Sequence, residues 1–254
     1  MNTLIAVAHG SRDPRSAQTV AAVVEGIRQR RPDLDVRVAY LDLTEPSVED
    51  VIDDIASRGC ESAVAVPLLL GSAFHARVDL PAILDAARRR HPQLFLVQSD
   101  VLGDDRLLID TLRSRIVETG IDAGDHGVGV AVAAVGSSNA VANQRARALA
   151  ERVLRGTSWN AAVTCFATAQ DPGPSQALSR LTAAGSSTLV VAPWFLAPGL
   201  LLDRVYSAVD IHSREHGTGD VVRVGVLGNH RLVAEVVSDR YDAAARRLTV
   251  RRSA

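Results

Sequence analysis

The chain has 254 residues, enough for one large domain or two of about 125 residues each. Hydrophobic residues make up 47% and charged residues 22%, the composition of an ordinary globular protein. A formal net charge of -1 gives no electrostatic case for binding nucleic acid or an anionic membrane, and no apolar run approaches the roughly 18 residues of a membrane span.

Aromatic residues are only 4%, so the core must be built from Ala, Val, Leu and Ile. The N-terminus runs straight into a strand, with no basic, apolar and cleavable leader. Cys60 and Cys165 lie far apart and form no C-x-x-C, which argues against a disulfide framework, a zinc knuckle or an iron–sulfur cluster. Two reduced thiols in a cytoplasmic protein are the expectation.

Strand and helix patterns alternate from the start. Residues 3–8 form an apolar strand that runs into His9-Gly-Ser-Arg-Asp-Pro14, and a helix follows over 16–31 with Ala17, Val20, Val23, Val24 and Ile27 on one face. Pro32 ends it. Residues 35–41 are the second strand, and Ser47 caps a helix reaching Arg58, with Asp50 at its third position. The unbroken run Val64–Leu70 reads as a buried strand of a parallel sheet, spanning 62–70. It stops at Gly71-Ser72, and His75 and Asp79 follow before Pro81 opens a helix over 80–90. A short strand at 94–97 and a helix at 105–119 complete the first half.

The glycine-rich stretch 119–127 lacks periodicity and reads as a linker. Beyond it come strands at 128–135, 159–166, 187–196 and 221–226, with helices at 140–155, 174–185, 200–215 and 231–247. The second half repeats the first. Ala8-His-Gly-Ser-Arg-Asp13 matches Ala134-Val-Gly-Ser-Ser-Asn139, and Val66-Pro-Leu-Leu-Leu70 matches Ala192-Pro-Trp-Phe-Leu196, both at an offset of 126 (134 against 8, 192 against 66). Val101–Leu107 matches Val226–Leu232 one residue shorter. The expected fold is α/β: two tandem flavodoxin-like, doubly wound parallel-sheet domains, at 1–122 and 127–254.

At that offset His9 becomes Val135 and His75 becomes Leu201. A scaffold role would not vanish at both positions of one half. The pattern implies a single site with two cooperating histidines in the first half, each just past the carboxyl end of a strand, where open α/β sheets place ligands. An imidazole pair can hold a first-row divalent metal, accept protons, or do both in turn. Asp42, just past the second strand, is the best placed carboxylate. Glu45, Asp13 and Asp79 have plainer readings as a solvated loop residue, a turn former and the acidic start of a helix.

Gly10-Ser11-Arg12 before the first helix can bind an anion through backbone N–H groups and a guanidinium. Gly136-Ser137-Ser138 offers a similar cradle in the second half. His212 and His216 have the i, i+4 spacing of a helical metal pair but sit at an exposed helix end. His91, His126 and His230 read as surface positions. There is no G-x-x-x-x-G-K-[ST], G-x-G-x-x-G or G-x-S-x-G, which weighs against a nucleotide-driven motor, a Rossmann dehydrogenase and an α/β-hydrolase.

His9-Gly-Ser-Arg-Asp-Pro together with Pro67-Leu-Leu-Leu…His75…Asp79-Leu-Pro81 resembles the sirohydrochlorin chelatase family, the small class II tetrapyrrole chelatases. The resemblance covers nearly the full chain, duplication included. It implies an active site in an inter-domain cleft that takes the macrocycle, with Co2+ or Fe2+ as a substrate, no organic cofactor and no ATP. It implies His9 and His75 as the catalytic histidines, holding the metal with Asp42 or Glu45. Asp42 stands where the family usually carries a glutamate, and its side chain is one methylene shorter. Ser11, Arg12, Arg77, Gly136, Ser137 and Ser138 are the candidate holders of the substrate carboxylates. Other expectations are a monomer, since the duplication replaces a pair of half-length chains, and no nucleic-acid or membrane partner. Two alternatives stand beside this: a non-catalytic metal- or tetrapyrrole-binding protein, and a phosphohistidine phosphoryl-transfer enzyme, which Ala8 disfavours because it occupies the position of the arginine in an Arg-His-Gly signature.

Overall fold

A computed structural model describes residues 3–71, 78–168, 171–217 and 219–252. These residues alternate strand and helix throughout: β1 (Thr3–Ala8), α1 (Pro14–Arg30), β2 (Asp35–Tyr40), α2 (Val48–Ser57), β3 (Ser62–Pro67), α3 (Leu80–Arg90), β4 (Phe95–Gln98), α4 (Arg106–Val117), β5 (Val128–Ala134), α5 (Ala140–Leu154), β6 (Ala161–Phe166), α6 (Pro174–Ala183), β7 (Thr188–Pro193), α7 (Leu200–His216), β8 (Val222–Arg223) and α8 (Arg231–Arg252). The expected elements are all present. The strands β3, β7 and β8 end earlier than their apolar runs, because residues such as Leu68 are buried beyond the last ladder pair.

Two parallel four-stranded sheets result, ordered β2-β1-β3-β4 and β6-β5-β7-β8. β1 and β5 are buried at every position, as a central strand covered on both faces requires. In the first sheet Ile5, Val7, Ala63 and Ala65 pack against Val48, Ile52 and Ile55 of α2 and Leu80 and Leu84 of α3. Ser47 caps α2 as expected, in a reciprocal box with Asp50, whereas α1 starts two residues before the expected Ser16, with Asp13 as its cap and Pro14 at its first position. The strand order reverses direction between β1 and β3, the switch point outside whose carboxyl ends open α/β sheets place ligands. His9 follows β1 directly.

The compact units do not follow the expected boundary at 122–127. One unit comprises residues 1–107 and 228–254, and the other residues 108–227. Each sheet thus takes its last helix from the opposite half of the sequence. α8 lies on the first sheet, packed on α1, β3 and β4. There Arg240 donates to the carbonyl oxygens of Val101 and Leu102 at 2.9 Å and to Asp105 at 2.8 Å, and Arg31 pairs with Asp242 at 2.9 Å. α4 lies in the second unit, where Arg113 donates to the carbonyl oxygen of Val153 at 3.0 Å and Arg115 to that of Leu227 at 3.2 Å. An amphipathic helix states which face it buries but not against which sheet, so the sequence did not reveal this exchange. No helix among the described residues is long and apolar enough to cross a membrane.

Candidate active site

At the end of β1 the chain turns through His9-Gly10-Ser11, and at the end of β2 through Asp42-Leu43-Thr44. The two turns are bonded residue by residue. The ladder continues past the strands, with Leu41 N–H donating to the carbonyl of Ala8 and Asp42 N–H to that of His9, both at 3.0 Å. Gly10 has φ +94, and a Cβ there would overlap the carbonyl oxygen of Asp42, so only glycine fits. The Thr44 hydroxyl accepts from Ser11 N–H at 3.0 Å and donates to the Ser11 carbonyl at 3.1 Å. His9 and Asp42 are both exposed, on turns that are hydrogen-bonded to each other.

One Asp42 carboxylate oxygen accepts from Leu43 N–H at 2.8 Å, leaving the other for a ligand. Leu43 has φ +60, alone among the described non-glycine residues in that region, and the residue is 50% exposed. Glu45 is exposed on the same turn. Asp13 serves α1: it accepts from Arg15 N–H at 3.0 Å and pairs with the Arg15 guanidinium, which holds its carboxyl below the usual range. The Ser11 hydroxyl oxygen accepts from Asp13 N–H at 3.0 Å, and Arg12 is exposed beside it.

The second unit repeats the scaffold. Ala167 N–H donates to Ala134 and Thr168 N–H to Val135, matching the bonds at 41 and 42, and Gly136 has φ +87. Val135 is 40% exposed where His9 stands in the first unit, and Thr168 replaces Asp42. The Ser137 N–H is committed to Asn143 Oδ1 at 2.8 Å, which removes it from the expected anion donors. Gly136 is half-buried and Ser138 exposed.

His75 and Arg77 lie outside the described residues. Among the described residues no three His, Cys, Asp or Glu side chains gather as a metal site. The His212–His216 pair is no chelate either: the rings stack with centroids 4.3 Å apart, and His212 is buried. His91 bonds Asp53 at 2.6 Å on the surface. Both cysteines are free, and burial pushes the Cys165 thiol up to about 12. Sequence reasoning missed Thr44, which carries no signature of its own. The glycine after His9 was the available sign of a close approach at this turn.

A strand–turn–helix carrying His9 at a switch point, bonded to a carboxylate turn and duplicated without the histidine, can be set against known proteins. The CbiX family model matches residues 3–119 and again residues 129–244. The chain belongs to the CbiX family. The two matches fall on the two halves of the duplication, and the family foreseen from the paired motifs is the one found. A sirohydrochlorin cobaltochelatase of Priestia megaterium is 24% identical over 246 residues, covering 94% of this chain and 79% of that protein. A sirohydrochlorin ferrochelatase of the same organism is 25% identical over 94% of this chain and 88% of its own length. A sirohydrochlorin cobaltochelatase of Methanosarcina acetivorans is 30% identical over 122 residues, 45% of this chain but 94% of the relative. SirB from Bacillus subtilis, solved with Fe3+, superposes with a TM-score of 0.80 at 22% identity, covering 94% of this chain and 93% of SirB. This likeness fixes the fold: two tandem CbiX-type α/β units, as the sequence implied.

Proposed function

We propose that this CbiX-family chain is a sirohydrochlorin chelatase that inserts Co2+ or Fe2+ into the macrocycle without ATP or an organic cofactor. The observation that carries the reading is the hydrogen-bonded junction of His9 with Asp42, built on a scaffold whose second copy holds Val135 and Thr168 instead. The named relatives supply the reaction.

Insertion requires a partly desolvated metal at one face of the ring and removal of two pyrrole protons. Neutral imidazoles can do both, first as ligands and then as bases. His9 and His75 take these roles, with the outer oxygen of Asp42 as the third ligand and Glu45 as its nearby substitute. Arg12 and Arg77, with the Ser11 hydroxyl and the turn at Gly136 and Ser138, hold the substrate carboxylates; the Ser137 hydroxyl is the part of that residue left to join them. A chain of net charge near zero needs such local donors for so acidic a ligand. The duplication lets one chain act as a monomer, and the free thiols suit the cytoplasm.

The test is anaerobic addition of sirohydrochlorin with Co2+ or Fe2+, followed by visible absorption. Accelerated loss of the metal-free bands, abolished by His9→Ala and by His75→Ala, is the expected result. Bands that persist at the spontaneous rate exclude chelatase activity. Full rate in both variants excludes the site.

A further inference from the structure

The two units hold the same turn in different ways. In the second unit the backbone N–H and carbonyl of Ser137 are bonded by Asn143, at 2.8 and 2.6 Å, from the helix α5 that follows that turn. In the first unit the matching groups of Ser11 are bonded by the Thr44 hydroxyl, from the turn after β2. The position equivalent to Asn143 is Ala17, which can make neither bond. The clamp has therefore moved, in the histidine-bearing unit, from the following helix to the turn that carries Asp42.

We propose that Thr44 is a positioning residue for metal insertion, which locks the His9 turn to the Asp42 turn so that imidazole and carboxylate reach one metal ion in a preset relation. This rests on the chelatase reading above. Thr44 completes a row of three ties: the His9 carbonyl to Asp42 N–H, Gly10 against the Asp42 carbonyl, and Ser11 on both sides of the Thr44 hydroxyl. The first two fix how far apart the turns lie. The third stops the His9 turn from pivoting about that line, which is the freedom that would swing the imidazole away from the carboxylate. Groups that hold metal ligands in place raise affinity by sparing the ordering cost at binding. A clamp from α1 would hold the His9 turn equally well but would leave its relation to Asp42 loose.

The full-length chain tests this with three variants: Thr44→Val, which keeps shape and loses both bonds; Thr44→Ser, which keeps the hydroxyl; and Val23→Ala, which destabilises the buried face of α1 away from the turns. Calorimetric Co2+ affinity, kcat, KM for sirohydrochlorin and the melting temperature are measured for each. Thr44→Val is expected to weaken Co2+ binding and lower kcat by about tenfold or more with KM unchanged. Thr44→Ser is expected to restore both, and Val23→Ala to lower only the melting temperature. Wild-type Co2+ affinity and kcat in Thr44→Val overturn the positioning role while leaving the chelatase reading intact. An equal loss in Val23→Ala reduces Thr44 to a stability residue and overturns it as well. A wild-type chain that neither binds Co2+ nor accelerates insertion overturns the chelatase reading, and this proposal with it.

Discussion

Asp42 and His9 are joined through their backbones, the N–H of Asp42 donating to the carbonyl oxygen of His9 at 3.0 Å. They stand just past the ends of neighbouring strands of a parallel sheet, separated in sequence by α1 and β2. The bond is the last rung of the β1–β2 ladder, carried past both strands into the turns. The sheet itself thus sets the spacing between the imidazole-bearing and carboxylate-bearing residues.

That junction depends on Gly10. Its φ of +94 is costly for any other residue, and a Cβ would meet the Asp42 carbonyl oxygen, which is backbone and cannot swing aside. Gly10→Ala must therefore distort the turn. Destabilisation of roughly 2–4 kcal/mol is expected from a left-handed alanine together with the displaced ladder. Urea unfolding followed by circular dichroism measures it, and a midpoint equal to wild type would show that the turn adapts freely.

Leu43 presents the opposite case. It sits at φ +60 and is an exposed residue, so it bears backbone strain with little packing in return. Leu43→Asn should raise stability by about 0.5–1 kcal/mol, because asparagine tolerates the left-handed region. Thermal unfolding provides the check. A fall in stability would mean that the leucine side chain contributes packing that its exposure hides.

The fold was legible because the chain states it twice. Apolar runs such as Leu4–Ala8 and Val128–Ala134 are long enough for buried strands and too short for buried helices, and Ser47 and Pro81 mark helix starts. His9 and Asp42 were legible as residues just past strand ends. The partner of α4 was not, since Leu108, Ile109, Leu112 and Ile116 would suit either sheet. Neither was Thr44, whose role depends on which strand lies next to β1. His212 was expected at an exposed helix end, yet it is buried, because the spacing of i, i+4 brings two rings together without stating which face of the helix the fold covers.

The stacked pair makes stability depend on pH. His212 is 1% exposed, its Nδ1 lies 2.9 Å from the Ser175 hydroxyl, and its Nε2 is buried with no partner among the described residues. Burial pushes its pKa below the ordinary value, and a charge on neighbouring His216 would push it the same way, against a smaller opposing effect of Glu215. The folded state therefore takes up this proton later than the unfolded chain. The contribution is fully present above the unfolded value of about 6.5 and is lost as pH falls towards the lower folded value. Denaturant midpoints should decline below pH 6.5 in the wild type. His212→Phe should flatten that decline, and an unchanged slope would remove His212 as its source.

The helix exchange gives the last prediction. A fragment of residues 1–122 keeps the whole first sheet but loses α8, whose Val233, Val236, Val237, Tyr241 and Ala244 are buried. Each large apolar side chain of that set is worth about 1.5–3 kcal/mol of burial, so the fragment gives up most of the 5–15 kcal/mol that holds a typical domain. It also carries α4, with Leu108, Ile109, Leu112 and Ile116 deprived of the unit in which they are buried. A cut at the linker therefore leaves two apolar faces uncovered, one on the sheet and one on the helix. No folded monomer is expected from residues 1–122, whereas a chain in which residues 228–254 are fused after residue 107 retains the helix that this sheet packs against. Sedimentation and thermal unfolding of both decide the matter. A cooperative, monomeric 1–122 fragment would show that α8 is dispensable to the first unit.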